Sequence, residues 1–127
     1  MSEIQIHTTP SWRPMGFWGV KALVATAFLS AGVLKVAGTQ QMIDLFEAIG
    51  FGQWFRIFTG LIEVGGAVLL LLPASAFTGA ALLAATMYCA VVLHLTLLTS
   101  LSPVPAAVLL VLTGAIAFVH RDQLTDV

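Results

Sequence analysis

Four ionisable side chains lie within or beside the long apolar stretches of this sequence, and their types are those that support chemistry. They are Lys35, Arg56, Glu63 and His94. A carboxylate, an amine and an imidazole that share a dry pocket can hold a ligand through hydrogen bonds or pass a proton. We therefore predict that these four residues form a ligand-binding site or a proton relay.

Several other kinds of site lack the residues that they need. The chain has a single cysteine, Cys89, so it forms neither an intramolecular disulfide nor a dithiol redox pair. No two of its three histidines have the helical spacing that would suit a metal ion or bis-histidine haem ligation. The sequence also contains no glycine-rich phosphate loop and no Ser-His-Asp set. We predict no metal site.

The composition places these residues in a membrane. Of the 127 residues, 59% are hydrophobic and 9% are charged, and the mean hydropathy is +1.01. An ordinary soluble domain is about 45–50% apolar and about 25% charged. The net charge of −1 gives no electrostatic surface for nucleic acid. We predict an integral membrane protein and exclude a soluble enzyme and a nucleic-acid binder.

The apolar stretches predict an all-α fold, a four-helix antiparallel bundle that crosses the membrane four times. A spanning helix needs roughly 20 apolar residues, because the hydrocarbon core is about 30 Å thick. Short connections force neighbouring helices to run antiparallel. The spans fill most of the chain, so residues 1–127 are expected to form one membrane domain. The expected spans are residues 17–36, 54–72, 77–98 and 104–119.

The link between the first two spans predicts a short amphipathic helix in the membrane interface. Met42, Leu45, Phe46 and Ile49 share one helical face, and polar residues lie opposite them. Gly50 follows the pattern and is expected to end the helix. A plain polar loop is the alternative.

The distribution of cations gives a weak prediction of orientation. With four spans, both termini lie on one side, together with Arg13, Lys21 and Arg121, whereas Lys35 and Arg56 lie on the other. The positive-inside rule then favours cytoplasmic termini. Aromatic belts are expected at both interfaces, formed by Trp12, Phe17 and Trp18 on the terminal side and by Phe51, Trp54 and Phe55 on the other.

Glu63 lies near the middle of the second span, where insertion of a charged residue costs about 2.5–3.5 kcal/mol. Such a residue normally faces the bundle interior and has a partner. The antiparallel arrangement brings Lys35, Arg56 and His94 to the same membrane side, so we expect one polar pocket around Glu63. In the alternative, the two cations extend to the interface, and His94 and Glu63 only join helices.

Two stretches of the sequence resemble signatures of the DoxX-like family. Residues 28–35, Phe-Leu-Ser-Ala-Gly-Val-Leu-Lys, resemble the first-helix signature, in which an alanine-glycine pair precedes a lysine. The link 44–51 and the run 60–66, Gly-Leu-Ile-Glu-Val-Gly-Gly, resemble the second-helix signature with its intramembrane glutamate. Met87 and His94 fit the third-helix pattern loosely. The resemblance covers residues 17–119.

This resemblance implies a four-helix protein of the bacterial inner membrane. The family takes its name from a subunit of a thiosulfate- or quinol-linked oxidoreductase, and relatives occur in membrane redox complexes. Its functional positions correspond to Lys35 and Glu63, and less closely to His94. Without paired cysteines or metal-ligand spacing, the chain would hold a quinone or bind a redox partner rather than carry electrons itself.

The resemblance therefore implies an accessory or quinone-binding subunit of a membrane redox system, with membrane lipids, a membrane oxidoreductase and further copies of the chain as its expected partners. Two alternatives stay open. One is a small proton-coupled transporter, although small multidrug exporters carry their glutamate on the first span. The other is an assembly protein that binds lipids or partners without turnover. Whether the chain is an enzyme also stays open, since three acid–base groups suffice for catalysis in a dry pocket.

Overall fold

The structure is a computed structural model that describes residues 12–124, with side chains from residue 16 to residue 122. The side chains of Trp12 and Arg13, which were expected on the terminal side of the membrane, therefore lie outside the described part of the structure. No strand occurs in the described range. Five α-helices follow one another in the order α1 (Trp12–Ala37), α2 (Gln40–Ile49), α3 (Gln53–Leu71), α4 (Ala76–Thr96) and α5 (Val104–Val119).

Three of the helical segments are long and apolar enough to cross a membrane. They are Gly16–Ala37, Gln53–Leu71 and Pro73–Thr96, the last of which joins a 3-10 turn to α4. Helix α5 is apolar but has only 16 residues, so at about 1.5 Å per residue it is about 24 Å long. The fourth expected span is therefore a shorter helix than the other three, because Pro103 and His120 bound the helical run closely.

A helix also occupies the link between the first two long helices. Helix α2 buries Phe46 and Ile49 and ends at Gly50, whose φ of 88° lies in the left-handed region. The Gly50 amide donates a hydrogen bond to the Phe46 carbonyl. A residue without a Cβ takes this conformation without strain, so the prediction that Gly50 ends the helix is confirmed. Phe46 and Ile49 pack against Leu98 at the end of α4.

Helix α3 lies between α1 and α4 and touches both closely through glycines. A Cβ added to Gly60 would lie 2.8 Å from the Gly32 carbonyl oxygen of α1, and one added to Gly32 would lie 2.8 Å from the Gly60 carbonyl oxygen. At the other crossing, a Cβ on Gly79 of α4 would lie 2.6 Å from the Gly66 carbonyl oxygen. The missing side chains let the backbones approach, as is typical of helices that pack in lipid.

The remaining helix, α5, packs along α4, and its contacts with α1 are far fewer. The four long helices are therefore arranged in the order α1, α3, α4, α5, and the seam between α1 and α5 is loosely closed. Phe28, Leu70, Leu83 and Ile116, one from each of these helices, are almost fully buried in the common core. The core thus holds the bundle together although the two outer helices share little surface.

Candidate functional site

The centre of the site is an ion pair between α1 and α3. Glu63 Oε1 lies 3.0 Å from Lys35 Nζ, and the two side chains are 2% and 14% exposed. Lys35 follows Gly32 by three residues and Glu63 follows Gly60 by three, so each charge lies one turn from the close glycine contact. The glycine crossing therefore brings the two charged side chains within reach of each other.

The ion pair leaves hydrogen-bonding capacity on the carboxylate. Although Oε1 of Glu63 is buried and close to Lys35 Nζ, it accepts no hydrogen bond of good geometry from any described residue. A carboxylate oxygen has two lone pairs, and the contact with Lys35 uses at most one of them. The atom can therefore accept a hydrogen bond from a further group.

Arg56 supports the pair from the backbone side. Its Nη1 donates a hydrogen bond to the Lys35 carbonyl oxygen, and its Nε donates to Gln53 Oε1 at 2.8 Å. Both donors lie on one planar guanidinium, which fixes its orientation. Arg56 thus ties the end of α1 to the start of α3 and holds the backbone of Lys35 in place.

His94 takes part through one defined ring nitrogen. Its Nδ1 lies 2.7 Å from the Ala90 carbonyl oxygen on the preceding turn of α4. A carbonyl oxygen only accepts hydrogen bonds, so Nδ1 carries the proton. In the neutral imidazole, Nε2 is then an acceptor. His94 therefore bonds its own helix rather than a neighbouring one.

An apolar cavity of about 260 Å³ lies beside these groups and is partly open at the side of the bundle. All five helices contribute to its wall. Besides Cys89, its charged or titratable lining residues are Lys35, Glu63 and His94, whereas Arg56 contacts the Lys35 backbone. Its apolar lining includes Phe28, Phe46, Phe55, Met87, Leu93 and Leu109.

The structure thus brings Lys35, Glu63 and His94 to one cavity wall and places Arg56 against the Lys35 backbone. The expectation that the face of α3 bearing Glu63 points inward is confirmed, since Gly60, Glu63 and Gly66 are buried. Leu61 on the opposite face is 58% exposed.

Lys21 is a buried cation away from the cavity. The sequence predicted it only as a determinant of orientation and did not predict its burial. Its side chain is 2% exposed. Its Nζ lies 4.3 Å from the centroid of the Trp18 ring and 5.6 Å from that of Phe17, and it donates to Nε2 of His120 at 3.3 Å. Burial, and then the charge of Lys21, lower the pKa of His120 from its ordinary value.

The other mid-helix polar residues have plain structural roles. Thr113 is buried and donates to the Leu109 carbonyl oxygen at 2.7 Å, so it bonds its own helix. Cys89 is exposed and lies at the rim of the cavity. It is the single cysteine of the chain, and it is therefore a natural position for a chemical probe.

Comparison with known proteins supports the resemblance in the sequence. Neither the curated proteins nor the solved structures include a significant match to this chain. The family model for the DoxX-like family matches residues 19–120. That segment runs from the first turns of α1 past the end of α5 and includes Lys35, Glu63 and His94. With most of its length matched, and with its long apolar helices, the chain is a small integral membrane protein that belongs to the DoxX-like family.

Proposed function

We propose that this protein binds a lipophilic molecule with a polar head, of the quinone class, and serves as an accessory subunit of a membrane redox system. The observation that carries the proposal is the buried Glu63–Lys35 pair on the wall of an otherwise apolar cavity. Ligand sites are typically concave and apolar, with a few polar groups that fix orientation. This cavity is likewise mostly apolar, with Lys35, Glu63 and His94 as its charged or basic groups.

The size of the cavity favours a ring-sized head group. Its volume of about 260 Å³ is close to the lower end of the roughly 300–1,000 Å³ that is common for ligand pockets. A whole lipid would not fit, but a head group would fit with its tail extending through the open side. Ala27, Cys89 and Pro105 line the cavity and are exposed, so the tail would leave between α1 and α5.

Each polar residue then has a distinct role. Lys35 donates a hydrogen bond to a ligand oxygen, since an ammonium group has three donors and the carboxylate uses at most two. Glu63 and His94 accept hydrogen bonds or relay a proton. Arg56 is a positioning residue, because its hydrogen bond to the Lys35 carbonyl oxygen fixes the backbone from which the amine extends.

We also propose that α5 crosses the membrane with the three longer helices, so that residues 1–127 form one four-span domain with both termini on the cytoplasmic side of the inner membrane. The contact between His120, just after α5, and Lys21 in α1 supports this topology. So does the position of Pro105, at the start of α5, beside the cavity that Lys35 lines.

Helix α2 would lie in the interface on the other side. Gln41, Asp44 and Glu47 are exposed, whereas Phe46 and Ile49 are buried against the bundle. A helix with one polar and one apolar face is typical of the boundary between head groups and acyl chains. In that position it would close the end of the cavity.

Chemical labelling of Cys89 tests the ligand proposal. The purified protein is treated with N-ethylmaleimide with and without decylubiquinone, and the modified fraction is measured by mass spectrometry. We expect the quinone to slow labelling of the wild type and to have a much weaker effect in Lys35→Met/Glu63→Gln, which removes both charges. In the control Cys89→Ser/Leu61→Cys, the probe is on the outer face of α3, and we expect no protection. Equal labelling of Cys89 with and without the quinone would overturn the proposal.

A further inference from the structure

The hydrogen-bonding groups on the cavity wall are mostly acceptors, and this limits the ligands that they can satisfy. Glu63 Oε1 accepts no well-aligned hydrogen bond from a described residue. Nε2 of His94 is an acceptor in the neutral ring, because Nδ1 is bound to the Ala90 carbonyl oxygen. Glu63 and His94 can therefore each accept a further hydrogen bond from a donor on the ligand.

The hydroxyl groups of the two lining threonines cannot supply that donor. Thr59 Oγ1 donates to the Phe55 carbonyl oxygen at 2.8 Å, and Thr86 Oγ1 donates to the Leu82 carbonyl oxygen at 2.9 Å. Each threonine thus uses its proton within its own helix. The other donors on the wall are the Lys35 ammonium, which is already paired with Glu63, and the hydroxyl of Ser102, which is exposed in the connection between α4 and α5.

A hydroxyl group matches this arrangement because it has both one donor and two acceptor lone pairs. It can accept from Lys35 and at the same time donate to Glu63 or His94. A carbonyl or ether oxygen can only accept, so it satisfies Lys35 and leaves the acceptors unfilled. Sites that are built to bind a hydroxyl reject analogues without it strongly, because buried polar groups are then left unpaired.

We infer that the cavity selects lipophilic molecules whose ring carries a hydroxyl group, a phenol or hydroquinone, over otherwise equal molecules that only accept hydrogen bonds. The inference rests on the proposed function, which places a lipophilic ligand in this cavity. It adds the chemical class of the head group, and among quinone-class molecules it selects the reduced form. Lys35 would donate a hydrogen bond to the hydroxyl oxygen, and Glu63 or His94 would accept one from the hydroxyl proton.

A matched pair of small molecules tests this inference without any variant. 4-Nonylphenol and 4-nonylanisole have nearly the same apolar volume, but only the phenol donates a hydrogen bond. Each is titrated into purified wild-type protein, and protection of Cys89 from N-ethylmaleimide gives the apparent Kd. We expect the phenol to bind at least about tenfold more tightly, which corresponds to one well-placed buried hydrogen bond. The Cys89→Ser/Leu61→Cys protein again controls for general effects of the amphiphiles.

One variant assigns the discrimination to a residue. His94→Phe keeps a ring in the wall but removes the acceptor, and we expect the preference for the phenol to fall severalfold. Thr96→Val is the control on the same helix, since Thr96 is exposed and bonds the Val92 carbonyl oxygen, and it should keep the preference. A preference that is unchanged in His94→Phe would overturn the role of His94.

The remaining outcomes separate this inference from the proposed function. Equal binding of the phenol and the anisole would overturn the selection for a hydroxyl group, while the cavity would remain a site for lipophilic molecules. A failure of both molecules and of decylubiquinone to protect Cys89 would overturn the inference and the proposed function together.

Discussion

The Glu63–Lys35 pair places an opposite charge beside a carboxylate in the middle of a spanning helix. A single charged residue in the middle of a spanning helix costs about 2.5–3.5 kcal/mol on insertion scales. The 3.0 Å contact offsets part of this cost, but removal of one partner leaves the other uncompensated. Loss of one member of a buried pair typically destabilises a protein by about 3–5 kcal/mol, whereas loss of both is often tolerated.

We therefore expect Glu63→Gln and Lys35→Met each to destabilise the folded protein by about 3 kcal/mol. The double variant should be markedly more stable than the sum of the two effects implies, because no unpaired charge remains. Unfolding in detergent, followed by circular dichroism over a denaturant series, gives the four free energies of the double-mutant cycle. Additive effects would mean that the two side chains are not coupled.

The contact between His120 and Lys21 predicts a dependence of stability on pH. Burial, followed by the charge of Lys21, lowers the pKa of His120, so the unfolded chain binds a proton at a pH at which the folded chain does not. The contribution of His120 to stability is therefore largest above the ordinary histidine pKa of about 6.5 and decreases as the pH falls below it, until the lowered pKa of the folded state is reached.

Thermal melting in detergent between pH 8 and pH 5 measures this effect. We expect the melting temperature of the wild type to fall as the pH is lowered, and the fall to be smaller in His120→Gln. His94→Gln is the control that removes a different histidine and should keep the wild-type slope. A slope in His120→Gln as steep as that of the wild type would show that His120 is not the group responsible.

The sequence predicted the Glu63–Lys35 neighbourhood because helical spacing and antiparallel connections are local properties. It did not predict the burial of Lys21. Part of the signal was present, since Phe17 and Trp18 precede Lys21 by four and three residues and therefore lie on the same helical face. The third neighbour, His120, is brought there by the path of α5, which packs along α4, and no local pattern encodes that contact.

At the scale of helices, the lengths of the apolar stretches and the position of Glu63 allowed the helix bounds and the inward face of α3 to be predicted. The expected span 54–72 differs by one residue at each end from the observed α3, Gln53–Leu71. The long first helix begins earlier than expected because residues 12–16, which precede the expected span, also adopt helical structure. The face of α3 that carries Glu63 was expected inside, but which helix its glycines Gly60 and Gly66 contact depends on tertiary packing.

The two glycines Gly60 and Gly65 give a matched comparison within α3. A Cβ on Gly60 would lie 2.8 Å from the Gly32 carbonyl oxygen, whereas a Cβ on Gly65 would meet nothing within 4 Å. Backbone atoms cannot move aside as a side-chain end can, so we expect Gly60→Ala to destabilise the protein by about 1–3 kcal/mol. Gly65→Ala should be neutral or stabilise it by roughly 0.5–1 kcal/mol through helix propensity.

Denaturant unfolding of both variants checks this prediction. Labelling of Cys89 adds a second measurement, since separation of α1 from α3 in Gly60→Ala should also weaken the Glu63–Lys35 pair and the protection by decylubiquinone. If Gly60→Ala were as stable as Gly65→Ala, the backbones of α1 and α3 could not be in close contact at Gly60.

At the scale of the whole molecule, the order of the helices around the bundle decides where a cavity can form. Helix α3 packs closely against α1 and α4, and α4 packs closely against α5, but α1 and α5 share few contacts. Neither this order nor the location of the loose seam could be predicted from the sequence, because all four bundle helices are apolar over most of their surface. Their order follows from the shapes of the contacting faces.

The proposed four-span topology predicts that both termini lie in the same compartment. Reporter domains fused to the N-terminus and to the C-terminus should both report the cytoplasm, and a reporter inserted between α4 and α5, after residue 100, should report the opposite side. Opposite locations of the two terminal reporters would mean that α5, with its 16 residues, does not cross the membrane.

The loose seam between α1 and α5 also determines how a measured affinity must be expressed. Because the cavity opens at the side of an apolar bundle, an occupant would arrive by lateral diffusion within the lipid leaflet rather than from water. Occupancy would then depend on the mole fraction of the occupant in the lipid, and not on its total concentration in the sample. Titrations at different lipid-to-protein ratios should therefore superimpose only when they are plotted against that mole fraction, and dilution with empty vesicles should release the occupant.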